Sequence, residues 1–256
     1  MRVKQRHGYG QGVAGFVDLH THVIPSGDDG VANVEAGLEL CRQMAAEGTR
    51  VVYGTPHAHP PDSWFPITEE RVALARHSYA EMKPRCAEFG VDLRLGWELS
   101  ATGALVGDLS DYVLEGTRAI LLELPGPWFS FVDEVAVTRE QAAEVRAAGF
   151  EVVLAHPERS LGIQRNPELV LELVAEGSLV CFNADSFVGG HGEGCEACGW
   201  RLLELGVGDF VASDAHRLER PSRLREAVEA IAARFGREAA LALAEGVALT
   251  RVEERL

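Results

Sequence analysis

Residue types able to do chemistry collect in this sequence where short apolar runs end. Of the nine histidines in 256 residues, His20 and His22 close VDLHTH, His57 closes VVYGTPH, His156 stands in VVLAHPER and His216 ends FVASDAH. Four carboxylates take the same kind of position: Asp29 after the first run, Glu98 in LGWEL, Glu123 in LLELP and Asp214 in SDAH. Imidazole nitrogen with carboxylate oxygen suits Mn, Fe or Zn at a catalytic centre, and the lack of thiolate here argues against a structural zinc knot. A lone strand-end histidine is most often a hydrogen-bonded structural residue. The His20/His22 pair says little more, since alternate strand residues share a face. Several independent strand ends each adding a ligand type form a joint pattern that predicts a metal centre. His7, His59, His77 and His191 read as ordinary, with His59 alone near the expected rim.

The elements that would position these groups follow from hydrophobic patterning. Apolar runs predict strands over 16–20, 50–56, 92–99, 119–124, 151–156, 178–183 and 209–213, mostly without polar alternation, as in parallel sheets buried on both faces. Amphipathic stretches predict helices over 34–47, 69–88, 139–148, 167–176, 195–205 and 222–234. Alternation of the two predicts βα units in an α/β fold. About seven such units favour a closed barrel, which commonly needs about 250 residues, over an open doubly wound sheet. In either architecture the C-terminal strand ends share one rim, where a site forms. No GxGxxG or GxxxxGK[ST] follows a strand, so a nucleotide cradle has no support. Residues 1–15 read as a Gly-rich leader without a signal peptide's apolar segment, and 16–256 as one domain.

Composition removes several function classes. The 24 Lys+Arg against 39 Asp+Glu give a charge of −15, which argues against a nucleic-acid partner. Apolar runs fall far short of the roughly 18 residues that span a bilayer, so no membrane insertion is expected. Five scattered cysteines predict reduced thiols and a cytoplasmic setting. Lys4 and Lys83 are the only lysines, one in the leader and one in a helix before Pro84. Neither can serve as the bridging carboxylated lysine of amidohydrolase barrels. Cys195 and Arg201 fit the C-x5-R pattern of cysteine-dependent phosphatases, but no strand precedes them. Glu196 would also repel phosphate, and Leu202 stands where Ser or Thr is needed. Cys195 and Cys198 therefore read as helix residues.

Taken in order, DLHTH, DDG, TPH, GWEL, LELP, AHPER, FNADSF and SDAHR resemble the PHP (polymerase and histidinol phosphatase) superfamily over about residues 16–222. The nearest branch is the bacterial metal-dependent protein-tyrosine phosphatases of capsule and exopolysaccharide synthesis. The resemblance implies a distorted seven-stranded (β/α) TIM-like barrel with three divalent ions, manganese the usual one and Fe or Zn the alternatives. Carried over, one ion takes His20, His22, Glu98 and Asp214. A second shares Glu98 and adds Glu123 and His156, and the third takes Asp29, His57 and His216. Asp28 is the alternative to Asp29, which directly precedes Gly30 as the family's ligand does.

The resemblance also gives phosphate binding to Arg159 and Arg220. A spacing one residue short leaves Arg217 competing with Arg220, and salt bridging beside Glu158 and Glu219 is the plainer role for all three. Two ions about 3.5–4 Å apart can generate a bridging hydroxide for in-line attack on a phosphate ester. The implied substrate is a phosphotyrosine-bearing protein, with a bacterial tyrosine kinase as a candidate partner. A small ester such as histidinol phosphate and a non-catalytic metal-binding module are the rival readings. Asn183 and Asp185 are candidates to orient a ligand or to cap a helix. Trp64, Phe65, Trp128 and Phe129 are candidates to wall a phenyl ring.

Overall fold

Alternation of β and α along the chain produces strands that all pair in parallel. The computed structural model describes residues 15–102, 107–126 and 133–251, so the expected leader, apart from Gly15, lies outside the described residues. The strands are β1 (Phe16–Thr21), β2 (Thr49–Gly54), β3 (His57–Ala58), β4 (Asp92–Leu95), β5 (Glu98–Ser100), β6 (Ala119–Glu123), β7 (Glu151–Ala155), β8 (Leu179–Asn183) and β9 (Phe210–Ala212). Between and after them run α1 (Val34–Ala46), α2 (Glu69–Ala87), α3 (Glu134–Ala147), α4 (Leu161–Arg165), α5 (Val170–Ala175), α6 (Glu193–Glu204), α7 (Leu224–Phe235) and α8 (Arg237–Ala244). Caps fix several starts. Asn33 accepts from Ala36 N, Thr68 from Arg71 N and Asp133 from Ala136 N. The Asp133 cap starts α3 five residues earlier than the apolar pattern predicts. The expected helix at 167–176 is divided into a 3-10 turn, Pro167–Leu169, followed by α5.

The strand ladders differ from one closed seven-stranded sheet. They run β1-β2-β4 and β3-β5-β6-β7-β8-β9. The strand expected over 92–99 is split at Gly96–Trp97, and the one expected over 50–56 stops at Gly54, with the short β3 following after Thr55–Pro56. Proline has no N–H to give a ladder, and the chain changes partner there. Single bonds carry the pairing across: Thr55 N to Thr21 O at 2.7 Å, Gly96 N to Gly54 O at 2.9 Å and Glu98 N to Pro56 O at 3.1 Å. The outer strands β1 and β9 also meet, through a Thr21–Ala215 bridge and through His22 N to Ala215 O at 2.8 Å and Asp214 N to His20 O at 2.9 Å.

Alternate strand residues face two different cores. Val17, Leu19, Val51, Tyr53, Leu121 and Val153 belong to a small inner cluster, while Val52, Ile120, Leu122, Val152 and Leu154 join the larger one that packs on the helices. Ala248 and Leu249 also belong to the inner cluster, beside Val17 and Phe210 near the strand N-termini. The C-terminal strand ends are left to polar residues.

Asp18 on β1 is fully buried and accepts from Ser213 N at 2.9 Å, joining β1 to the segment after β9. Its Oδ2 has no hydrogen-bond partner. Burial pushes the carboxyl from its ordinary 3.8 up to about 6, so the folded protein keeps this proton longer than the unfolded chain. Stability from that proton is complete below the unfolded value and is lost as pH rises through about 6. Asp18→Asn keeps an acceptor for Ser213 and removes the titration. Its unfolding free energy relative to wild type should therefore rise by about 1–3 kcal/mol from acidic to neutral pH. Urea unfolding of both proteins at about pH 4 and above pH 7 checks this; a constant difference contradicts it.

Candidate metal centre

Strand ends and one tight crossing bring the polar residues together. His20 and His22 lie at the end of β1, Glu98 opens β5, Glu123 ends β6, and His156 and Asp214 follow β7 and β9. His156 (φ 32°) and Asp214 (φ 53°) hold left-handed backbone, which Asp62 alone of the other described non-glycine residues shares. Such backbone costs about 1–3 kcal/mol per residue and persists where surrounding bonds over-determine it. Here His156 N donates to Cys181 O at 2.7 Å and Asp214 N to His20 O at 2.9 Å. The DDG segment crosses over His22 so closely that a Cβ on Gly30 would sit 2.5 Å from the His22 carbonyl oxygen. Only glycine fits there.

That crossing separates the two aspartates. Asp28 Oδ2 lies 2.9 Å from His22 Nδ1 and accepts from His57 N at 3.1 Å. It orients His22 and leaves Nε2 toward Glu98 and Asp214. Asp29 Oδ1 lies 3.4 Å from both His57 Nε2 and His216 Nε2.

Glu98 is fully buried at the centre. Its Oε1 is 3.2 Å from His20 Nε2 and 2.9 Å from His156 Nε2; its Oε2 is 2.9 Å from His57 Nδ1 and 3.5 Å from His22 Nε2. Asp214 Oδ1 lies 3.3 Å from His20 Nε2 and 3.4 Å from His22 Nε2. Yet His20 Nε2, His22 Nε2, Asp29 Oδ1, His57 Nδ1 and Glu98 Oε2 are buried without a hydrogen-bond partner. Buried polar atoms are normally paired, and cations placed among them would supply the missing partners. Among the described residues, four groups have ligand atoms within 4.8 Å of one another: His22/Asp29/His57/His216, His20/Glu98/His156, His20/His22/Asp214 and His57/His59/Glu123. Two ligands of one ion at about 2.1 Å each stand up to about 4.2 Å apart, so the donor set fits divalent ions. Glu123 Oε1 is 4.0 Å from His156, and Glu123 groups with His57 and His59 rather than with Glu98 and His156.

The electrostatics follow from burial set against mutual compensation. Burial opposes ionisation of Glu98 and Asp214, but the surrounding imidazoles hold both carboxyls well below the usual range. Asp28 and Asp29 are likewise held low against their burial by His22 and by His216 and His57 respectively. Burial works against the His22 cation, yet bonds to Asp214, Asp28 and Glu98 raise it well above its ordinary value. Burial, with Arg159 nearby, pushes His156 down to about 4. Burial and the Glu98 charge push Glu123 up to about 7.

Arginines complete the wall. Asp214 Oδ2 accepts from Arg159 NH1 at 2.9 Å, Arg220 NH2 at 2.6 Å and Asn183 Nδ2 at 2.8 Å. Arg159 and Arg220 line a cavity of about 540 Å³ with His57, His156 and His216. Arg217 is exposed and outside that lining, so the geometry separates the two competitors. Glu158 is no surface partner for Arg159: it is fully buried and accepts from Asn183 N at 2.9 Å and Ser186 Oγ at 2.8 Å. Asn183 both orients Asp214 and caps Asp185 N at 2.9 Å. Asp185 turns instead toward Arg223, at 3.5 Å.

Phe65 stacks flat on His57 (centroids 5.1 Å apart, 3° between planes), and Trp64 lines the cavity. Trp128 and Phe129 lie outside the described residues. Cys195 sits in α6 with burial pushing its thiol up, while Arg201 is engaged by Glu168 at 2.8 Å, so no thiolate phosphate loop forms. Sequence reasoning passed over His59, which lines the same cavity with its Nε2 buried and unpaired. The signal was a second His-x-His, 57–59, beginning in β3.

The family model for capsular polysaccharide synthesis, CpsB/CapC, matches residues 16–248. The tyrosine-protein phosphatase YwqE of Bacillus subtilis is 29% identical over 241 residues, covering 91% of each chain. Among solved structures, one described as YwqE from Bacillus subtilis and CpsB from Streptococcus pneumoniae, metal-dependent tyrosine phosphatases, superposes with TM-score 0.77. It is 27% identical and covers 94% of this chain and 96% of that one. Histidinol phosphate phosphatase from Lactococcus lactis, solved with zinc, L-histidinol and phosphate, gives TM-score 0.51 at 14% identity over 88% of this chain and 94% of that one, a likeness of fold alone.

Arg71 on α2 ties the two loops of this site together. Its guanidinium donates to Ser26 O (3.0 Å), His57 O (3.0 Å), Phe65 O (2.7 Å) and Pro66 O (3.1 Å). Arg71→Ala should cost about 2 kcal/mol of stability after the loops relax, read as a fall in Tm of about 4–8 °C by calorimetry. Arg71→Lys, reaching fewer of the four carbonyls, should fall between. An unchanged Tm in Arg71→Ala would remove the clamp.

Proposed function

Because the chain belongs to the capsular polysaccharide synthesis CpsB/CapC family, we propose that it is a metal-dependent phosphatase acting on tyrosine-phosphorylated protein, as its relatives' names describe them. The observation that carries this is the set of unpaired, buried imidazole and carboxylate atoms converging on Glu98 and Asp214 beside two arginines. His20, His22, Asp29, His57, Glu98, Glu123, His156, Asp214 and His216 are the proposed metal ligands, for three ions, with Mn first and Fe or Zn as alternatives. Residues 16–256 form one domain in this proposal, and their strands a distorted seven-stranded barrel. The setting is cytoplasmic, and a bacterial tyrosine kinase is the leading protein substrate. Among the described residues no helix is long and apolar enough to cross a membrane.

Divalent ions in these groups would lower the pKa of water and offset charge on the phosphoryl oxygens during in-line displacement. The chain's own residues do the rest. Arg159 and Arg220 present planar forks to the outer phosphate oxygens, exchanging part of their bonding to Asp214 Oδ2 for the ligand. Asn183 keeps Asp214 in place meanwhile. Asp28 fixes the His22 ring, and Trp64 and Phe65 give the phenyl group an apolar wall.

Chelation with EDTA should abolish hydrolysis of p-nitrophenyl phosphate and of a phosphotyrosine peptide, with Mn²⁺ restoring both, while Cys195→Ser stays near wild type. Loss of turnover in Cys195→Ser at full metal content would point to thiol chemistry instead. A rate on histidinol phosphate above that on the peptide would move the substrate class to small esters.

Removing one arginine leaves every proposed ligand in place. Arg159→Ala and Arg220→Ala should therefore lower kcat/KM by about 10²–10³-fold, the cost of losing one donor to developing charge, with metal content unchanged. Arg217→Ala should behave as wild type. Near-normal kinetics in the first two would reduce them to structural partners of Asp214.

A further inference from the structure

His59 is held as a ligand is held. Its N–H donates to Phe65 O at 3.1 Å and its carbonyl accepts from Ile67 N at 2.9 Å, so the backbone is pinned on both sides of the 59–67 loop. The ring meets His57 edge-on at 4.9 Å and Phe65 at 5.6 Å, which fixes its plane. Its Nε2 is buried, makes no hydrogen bond, and lies 3.9 Å from Glu123 Oε2. That separation is too long for a hydrogen bond and within the span of two ligands on one cation. The other oxygen of Glu123 faces His156 at 4.0 Å, so the carboxylate stands between two imidazoles that belong to different groups.

We propose that His59 Nε2 and Glu123 Oε2 form a further divalent-cation position on the cavity wall, next to the His57 ring that the Asp29 group uses. It takes an ion of the Mn, Fe or Zn class, in addition to those centred on Glu98, Asp214 and Asp29. A mixed nitrogen and oxygen set with few protein ligands leaves several coordination positions to water. The position therefore fills after the others and binds more weakly. It also sits between β3 and the end of β6, where an ion would tie the 57–67 loop to the segment after Glu123. The inference rests on the proposed function of the cavity as a metal centre.

The test is metal titration of the apo-protein by equilibrium dialysis with Mn²⁺ and with Zn²⁺, alongside absorption of the Co²⁺-loaded form. Wild type should bind tight equivalents followed by one weaker equivalent. His59→Ala and His59→Gln should keep the tight ones and lose that last one, or weaken it by about tenfold or more. The Co²⁺ spectrum of the last equivalent should change in wild type alone. His59→Gln keeps a polar side chain of similar reach, and circular dichroism of both variants separates misfolding from ligand loss. Identical titrations in all three proteins would overturn the role of His59 and leave the main centre standing. Loss of a tight equivalent in the variants would instead make His59 a ligand of an ion already assigned, overturning a separate position. A wild type that binds no divalent ion tightly would overturn both readings.

Discussion

The carboxylate of Asp214 is shared between two halves of the cavity. Oδ1 faces His20, His22 and His216 at 3.3–3.4 Å, while Oδ2 accepts from Arg159, Arg220 and Asn183. The same residue closes the fold, because its N–H donates to His20 O where β1 meets the chain after β9. Its left-handed backbone is the local cost of aligning those three functions. Strand closure, through its backbone, and the histidine cluster and arginine wall, through its carboxylate, therefore meet in one residue.

Around it the charges are arranged in opposed shells. A protein of net charge −15 places more carboxylates in this cavity and surrounds them with imidazoles, which keep Glu98, Asp214 and Asp29 ionised despite burial. A buried carboxylate without such partners would take up a proton, as burial favours for Glu158 and Asp18, which rise to about 7 and about 6. Close contact with imidazoles, rather than depth, separates Glu98, Asp214 and Asp29 from Glu158 and Asp18; Glu123, about 4 Å from its nearest imidazoles and beside the Glu98 charge, also rises to about 7.

The parallel α/β class and the convergence of strand-end residues were legible because both rest on local pattern: apolar runs, and the polar residues that end each run. Less visible was whatever depends on partners distant in the chain. The breaks at Thr55–Pro56 and Gly96–Trp97 reflect a change of neighbouring strand that no local window contains. Glu158 reads as a surface residue beside Arg159 until Asn183 and Ser186 close over it. Arg71 looks like any exposed helical arginine, yet it collects four carbonyls from two loops. His59 was hidden by the prolines after it, although its spacing from His57 repeats that of His20 and His22. The helix α8 follows no strand, so alternation gave no reason to expect it.

The inner apolar cluster has a floor as well as walls. Ala248 and Leu249 sit against it near the N-terminal ends of the strands, on the side away from the polar rim. With a Cβ, Gly246 would come within 3.1 Å of Val17, so the chain seats itself there like a stopper. The medium beneath Glu98 is therefore hydrocarbon rather than water, and its low dielectric lengthens the reach of every charge above it. Lifting that stopper would let solvent in from below and weaken the field at the rim, with no residue of the rim itself altered.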